Sequence, residues 1–408
     1  MNILFLHQNF PGQFVHLAPA LAKRGHKVVA LTMNRVISLA GVQVFSYRPS
    51  RGSSKEIHPF AADFETKVIR AEACGIAMIS LKQQGFTPHI VIAHPGWGEA
   101  LFVKDIFPQV KLLSFLEFFY YAQGSDFDFD PEFAEIGWKK NAAVRIKNAN
   151  NFFSLDLMDH GYTPTYWQRN LQPAQYHDKI SVIHDGIDTD KVSPDSQAAL
   201  HLPEPAGGGT LSANDEILTF VNRNLEPFRG YHIFMRALAE IQRQRPKLIT
   251  LIVGGDQVSY GAPSSNGKTW KEIFFAEVKD QLDLSRIFFL GQVAYDTYLS
   301  ILKISTVHVY LTYPFVLSWS LLEALSMECL VVASKTPPVE EVIQHQHNGL
   351  LVDFFDVEGL SNTVSQALSN PGAYHLLKKT ARQQIIKNYD LKTVCLPRQI
   401  ALVESLSR

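Results

Sequence analysis

The stretch Val307-His308-Val309-Tyr310-Leu311-Thr312-Tyr313-Pro314-Phe315-Val316-Leu317-Ser318-Trp319-Ser320-Leu321-Leu322-Glu323 decides the fold. Its first five residues, apolar apart from His308, have the pattern of a strand buried on both faces. Beyond Ser318, residues Leu321, Leu322, Leu325 and Ser326 fall on one helical face. Pro314 and Ser318 between them are turn and cap chemistry, and a Ser hydroxyl can satisfy an orphan N–H of the first helical turn. Strand, short loop and helix start predict a doubly wound α/β sheet. Such sheets bind ligands beyond the carboxyl ends of their strands, where free N–H groups and the helix dipole favour an anion. Glu323 has the wrong charge for phosphate, but its carboxylate is suited to a pair of sugar hydroxyls.

The same alternation runs through the second half. A strand at Ile217–Val221 delivers Asn222-Arg223-Asn224-Leu225-Glu226-Pro227-Phe228-Arg229-Gly230, and a helix through Gln244 follows. Arg223 and Arg229 can converge on one diphosphate, because planar guanidinium donors grip phosphate oxygens bidentately. Further strands are expected at Leu248–Val253, Arg286–Leu290, Leu330–Ala333 and Gly349–Val352, with helices from Asp356 onward. After Leu290, the backbone around Val293 can hold a base. Gly261 to Thr269 imitates a P-loop, but five residues rather than four separate its glycines, and it lies far from the preceding strand. It reads as a mobile loop.

The first half opens with a strand at Ile3–His7, then Gln8-Asn9-Phe10-Pro11-Gly12, then a helix carrying Phe14, Leu17, Ala18, Leu21 and Ala22. Pro19 inside that pattern is expected to kink it. Gly12 allows close approach of a ligand to the backbone. Without a GxGxxG fingerprint, nicotinamide chemistry is not supported. Strands are expected at His26–Leu31, Val42–Tyr47, His89–Ala93, Lys111–Leu116, Asn151–Leu155 and Ile180–Ile183. His94, at the carboxyl end of one strand, is a candidate ligand-polarising group, and Glu117, at the end of another, a weaker candidate for positioning. The acidic run Asp126-Phe127-Asp128-Phe129-Asp130-Pro131-Glu132 lacks the glycine and distal Glu of an EF-hand, so a solvated loop with Asp130 capping a helix from Pro131 is expected. Asp126 is a weak acceptor-side candidate. Residues Ser193 to Asp215, with Pro203, Pro205 and Gly207-Gly208-Gly209, are low in regular structure, and the domain boundary falls near 186–192.

Composition bounds the function. The chain has 408 residues, enough for two domains, and 46% hydrophobic with 19% charged residues is globular. With 38 basic and 39 acidic residues there is no bulk charge for a polyanion, so nucleic acid is not the expected partner. Cys74, Cys329 and Cys395 are scattered, with no CxxC spacing, so neither a disulfide scaffold nor a zinc site is expected. No signal peptide or membrane span is apparent, which predicts a cytoplasmic protein, with peripheral contact at the inner membrane face left open.

Taken together, ILFLHQNFPGQF, VNRNLEPFRGYHIFMRAL and YPFVLSWSLLEAL resemble a retaining glycosyltransferase of family 4, and in particular a bacterial subgroup of it. The resemblance implies a GT-B fold: two Rossmann-like doubly wound domains facing each other across a cleft. The implied division is an acceptor-side domain over 1–187, a nucleotide-sugar-binding domain over 188–388, and a final helix, 389–408, crossing back to the first domain. The implied activity is transfer of a sugar from a nucleotide diphosphate sugar (a UDP- or GDP-sugar, UDP favoured) to a glycan, lipid-linked or small-molecule acceptor, with no cofactor or metal. Arg223 and Arg229 match the basic pair on the donor diphosphate, with Arg229 where Lys is usual. Glu323 matches the ribose-binding carboxylate, Gly12 the loop glycine near the phosphates and His94 the histidine near the transferred sugar. The backbone at Val316, Leu317 and Ser318 matches the loop approaching the donor. Phe315 departs from the pattern, standing where the family usually has a first Glu, and Glu328-Cys329 replaces a small-Gly pair. Two alternatives stay open: a sugar-nucleotide epimerase of the same fold, and a catalytically silent sugar-nucleotide-binding protein.

Overall fold

The computed structural model describes residues 1–134, 137–202 and 208–406. Pro203, Pro205 and Gly207 of the connecting segment lie outside the described residues. The chain forms two compact units, one of residues 1–186 with 391–408 and one of residues 187–390.

The first unit is built on seven parallel strands: β1 (Asn2–Leu6), β2 (Lys27–Thr32), β3 (Val42–Ser46), β4 (Ile90–Ala93), β5 (Lys111–Phe115), β6 (His160–Thr163) and β7 (Ile180–Val182). Their order is β3-β2-β1-β4-β5-β6-β7, so the strand order reverses between β1 and β4 while every pairing stays parallel. One of the two buried faces of β1, β4 and β5 packs Phe5, Ile92 and Phe115 against Phe14, Leu17 and Leu21. Pro19 does not kink its helix. That helix spans Leu17–Lys23, so Pro19 lies in the first turn, where its missing N–H breaks no bond. The final helix, Leu396–Leu406, belongs to this unit: Val403 is fully buried in the same cluster, and Glu404 pairs with Arg24 at 2.7 Å.

Residues 151–155 are not a strand. They lie in the helix Ala149–Leu157, and β6, which the sequence reading missed, takes the place in the sheet. The residues facing inward are Asn150, Ser154 and Leu155, and Ser154 Oγ donates to the Asn150 carbonyl, one helical turn back, at 2.8 Å. Phe152 and Phe153 instead point to solvent. An apolar pair between polar residues was too short to separate the two periods. Gly161 disguises β6, yet a Cβ there would meet the Leu116 side chain at 2.8 Å.

The second unit has six parallel strands: β10 (Ile217–Asn224), β11 (Ile249–Gly255), β12 (Ile287–Gly291), β13 (Val307–Tyr310), β14 (Leu330–Ser334) and β15 (Leu350–Val352), in the order β12-β11-β10-β13-β14-β15. Here the reversal lies between β10 and β13. Leu251, Tyr310, Leu321, Leu325 and Val331 are among the residues of its core. The described residues on either side of 203–207 hold more regular structure than expected. β8 (Ala199–His201) and β9 (Thr210–Ser212) pair antiparallel, with Leu200 opposite Leu211, and both leucines join the core. Among the described residues no helix is long and apolar enough to cross a membrane.

Candidate functional site

In the second unit the loops after β10 and β13 flank the point where strand order reverses, the place where such sheets hold ligands. The two loops are tied together: Tyr313 N–H donates to the Phe228 carbonyl at 3.0 Å. Arg229 ends the turn Pro227–Arg229, and its side chain is only 4% exposed. Its Nη1 donates to Thr312 Oγ1 at 2.7 Å and to the Val316 carbonyl at 3.1 Å. Burial alone would oppose the charge, but Tyr310, Tyr260 and Glu226 outweigh it and hold the guanidinium above its ordinary value. Arg223 has a different setting. β10 runs on to Asn224, so Arg223 sits within the strand, with its side chain exposed, and not in the loop with Arg229.

The second loop ends at Ser318, which caps the helix Trp319–Ser326 by accepting from Ser320 N–H at 3.3 Å. The Ser318 N–H itself donates to the Tyr310 hydroxyl at 3.0 Å. Val316 is buried and Leu317 half-buried, and Val316 turns its carbonyl to Arg229. The buried Phe315 ring lies edge-on to Phe228 and Tyr260, at 5.7 and 5.1 Å between centroids. Glu323, one turn into the helix, is 7% exposed. Tyr295 and Tyr298 donate to its two carboxylate oxygens at 2.6 and 2.7 Å. Burial raises the Glu323 pKa, and the two phenols pull against that rise. Each carboxylate oxygen keeps acceptor capacity beyond its tyrosine. Val293, half-buried, lies between β12 and the helix Tyr295–Lys303 that carries both tyrosines.

In the first unit the loops after β1 and β4 flank the other reversal. His94 is 2% exposed. Its Nδ1 accepts from Gly96 N–H at 3.2 Å, which leaves the proton on Nε2, 3.4 Å from Glu117 Oε2. Its ring stacks on Trp97 at 4.2 Å and meets the edge of His7 at 5.3 Å. His7 Nδ1 accepts from Asn9 N–H at 3.0 Å and Nε2 pairs with Gln13 Oε1 at 2.8 Å, so His7 is neutral. Burial, then the neighbouring His94, pushes its pKa down to about 3. Gly12 has φ +46°, and a Cβ there would lie 2.4 Å from the His7 ring. Glycine at that position is what lets the loop pass over His7.

The acidic run is not the solvated loop with a cap that was expected. Asp126 and Asp130 are buried, and the residues after Pro131 form a turn rather than a helix, the next helix being Trp138–Lys147. The acids are satisfied locally: Ser125 Oγ donates to Asp126 at 3.0 Å, and Glu132 N–H to Asp130 at 2.9 Å. Burial raises the Asp126 pKa.

Two family models cover most of the chain. The glycosyl transferase family 4 group matches residues 24–192, and glycosyl transferases group 1 matches residues 209–384. The chain belongs to the family 4-like glycosyltransferases. This glycosyltransferase is 22% identical over 284 residues to an uncharacterized glycosyltransferase of Methanocaldococcus jannaschii, covering 64% of this chain and 67% of that protein. It is 22% identical over 269 residues to a GDP-mannose-dependent alpha-(1-6)-phosphatidylinositol monomannoside mannosyltransferase of Mycolicibacterium smegmatis, covering 64% and 65%. The match thus spans about two thirds of each of these curated relatives. Among solved structures, sucrose-phosphate synthase from Thermosynechococcus elongatus superposes with a TM-score of 0.75 at 17% identity, over 100% of this chain and 99% of that one. HepE of Anabaena, solved with UDP and glucose, superposes with a TM-score of 0.64 at 17% identity, over 99% of both chains. The fold of the glycosyltransferase is GT-B, with two Rossmann-like units, as the sequence led us to expect.

Several residues at the two reversals of this glycosyltransferase escaped the sequence reading. His7 stands at the carboxyl end of the first strand, a position that alone could have marked it. Tyr295 and Tyr298, three apart at the start of a helix, carried a signal only with Glu323 known to face them. Glu226 and Tyr260 meet across 34 residues of sequence, and nothing local announces that.

Proposed function

We propose that this glycosyltransferase moves a sugar from a nucleotide diphosphate sugar to a hydroxyl acceptor with retention at the anomeric carbon, the second unit binding the donor. The observation that carries this reading is Arg229: a buried guanidinium at the strand reversal, held beside the loop that ends in the Ser318-capped helix. Negative charge grows on the diphosphate as it leaves. A fixed guanidinium and a helix N-terminus stabilise that charge without reorganisation at the moment of reaction. We assign this role to protein groups, so the proposed chemistry is metal-independent. Glu323 accepts from the ribose hydroxyls with the lone pairs its two tyrosines leave open. Arg223, exposed on β10, adds a solvent-side cation to the diphosphate.

On the first unit, His94 and Glu117 are the proposed acceptor-side pair, with Asp126 further out. His94, whose Nδ1 accepts from Gly96 N–H, offers its Nε2 proton as a hydrogen-bond donor, and the departing phosphate oxygen takes the acceptor's proton. The acceptor is a glycan, a lipid-linked glycan or a small molecule. A UDP-sugar is the favoured donor. HepE was solved with UDP and glucose, which supports that choice; the mycobacterial relative is GDP-mannose-dependent, which keeps GDP in the test.

The test is a thermal-shift screen against UDP-, GDP- and ADP-sugars, followed by product analysis with Arg229→Ala as control. Binding at 100 times Kd raises stability by about 2.7 kcal/mol. The expected result is a shift with one nucleotide family and a turnover lost in Arg229→Ala. No shift with any donor would remove the reading. Tight binding with no transfer or hydrolysis would favour a silent binder, in keeping with Phe315 packed among aromatic rings.

A further inference from the structure

Resting on the assignment of Arg229 to the donor diphosphate, we propose that Tyr260 is a further donor-site residue, whose phenol stands outside Arg229 and delivers a hydrogen bond to the diphosphate. The loop after β11 carries it. Three consecutive N–H groups of that loop, those of Ser259, Tyr260 and Gly261, converge on the buried Glu226 carboxylate at 3.1 to 3.4 Å. Asn224 Nδ2 adds a bond to Ser259 Oγ at 2.7 Å. Glu226 and Asn224 come from the end of β10 and the loop that bears Arg229, so the loop with the tyrosine is clamped to the loop with the arginine.

The clamp sets the Tyr260 ring over the Arg229 guanidinium, 4.9 Å from its carbon to the ring centroid. The Phe315 ring meets the Tyr260 ring edge-on at 5.1 Å. Gly261 fits because its Cα can approach Phe228, where a Cβ would come within 3.2 Å of the ring. The exposures then decide which group a ligand meets. Tyr260 is 37% exposed and Arg229 4% exposed, with Nη1 already committed to Thr312 and Val316. An anion arriving from solvent reaches the phenol together with the cation behind it. The three-bond clamp orders the phenol before the ligand arrives.

The test is titration of the full chain and of Tyr260→Phe with UDP, GDP, uridine and guanosine. Tyr260→Phe keeps the ring and deletes the hydroxyl. The expected result is a loss of about tenfold or more in affinity for the diphosphate that binds, the scale of one hydrogen bond to a charged group, with the matching nucleoside unchanged. Wild-type or tighter diphosphate binding by Tyr260→Phe would overturn the proposal, because the ring would then be only a cover on Arg229. An equal loss for diphosphate and nucleoside would also overturn it, by making the effect structural. Arg229→Ala separates the two claims: if it weakens diphosphate binding while Tyr260→Phe does not, only Tyr260 is misassigned. If neither variant changes diphosphate binding, the donor site itself is misassigned.

Discussion

Replacing Tyr298 by Phe removes one oxygen from the interior of the second unit, and the structure states what that oxygen does. It donates to Glu323 Oε2 at 2.7 Å, and both partners are buried, at 8% and 7% exposure. Phenylalanine fills nearly the same volume, so no cavity accompanies the change. What is lost is a donor to a charged acceptor, about 1.5 to 3 kcal/mol. A unit of about two hundred residues shifts by about 2 to 4 °C per kcal/mol, so the melting temperature should fall by about 3 to 12 °C at pH 8. The pH dependence carries the sharper test. Burial already raises the Glu323 pKa above the ordinary carboxylate value, with Tyr295 and Tyr298 limiting the rise. A raised carboxylate pKa means that the folded state holds its proton more tightly than the unfolded chain. The group's contribution therefore falls as pH rises from the unfolded pKa through the folded one. Without Tyr298 one of the two groups that limit the rise is gone, so the folded pKa moves higher. The gap between wild type and variant should be small near pH 4.5, open as pH rises, and reach full size above the variant's raised pKa. Differential scanning calorimetry at a series of pH values measures it. A gap of constant size from pH 4.5 to 8 would refute the account, because the lost partner would then not be an ionised carboxylate.

Gly98→Ala should cost about 2 to 4 kcal/mol in urea unfolding: its φ is +104°, and a Cβ would lie 2.4 Å from the Lys67 carbonyl oxygen, backbone that cannot rotate away. Wild-type stability there would mean that the His94 loop and the helix Ala62–Gln83 are not in close contact. Glu328→Gly should leave stability equal or raise it by up to about 1 kcal/mol, because Glu328 holds φ +60° after the helix Trp319–Ser326 and its ion pair with Lys379, 3.0 Å long, is partly solvent-screened; a clear loss would show that the pair outweighs the backbone strain. Acid should destabilise the chain early. Burial pushes His308 to about 3 and His184 to about 4, and burial with the nearby His94 pushes His7 to about 3. These folded-state values lie below the unfolded 6.5, so stability is complete above about pH 6.5 and is lost as pH falls toward the folded values. His308→Gln should flatten the fall between pH 6 and 4 in denaturant titrations, and an unchanged slope would count against a neutral buried His308.

The sheets were legible because their central strands are short apolar runs between turn residues, as at Ile90–Ala93 and Leu330–Ser334. Strand carboxyl ends then pointed to His94, Gly12, Arg229 and Ser318, and the structure places each of them beside a strand-order reversal. Legibility failed where tertiary partners overrode the local pattern. Gly161 sits in a strand because Leu116 fills the space above it, and Asn150 is buried because its amide finds the Pro95 carbonyl at 2.7 Å. The two arginines read as a matched pair, yet β10 runs three residues past Val221, which leaves Arg223 exposed on the strand and Arg229 buried in the turn beyond it. The tyrosines on Glu323 and the clamp on Tyr260 join residues distant in sequence, which spacing alone does not reveal.

The helix Leu396–Leu406 lays Leu396, Ile400 and Val403 on the cluster that begins at Ile3. The unit made first on the ribosome is therefore closed by residues made after the whole of its neighbour. Until they emerge, its apolar flank beside Leu17 and Leu21 has no cover. A stop codon near position 390 should spare the nearer sheet and damage the farther one, and a recombinant fragment ending at Gly186 should need this helix supplied in trans to stay in solution.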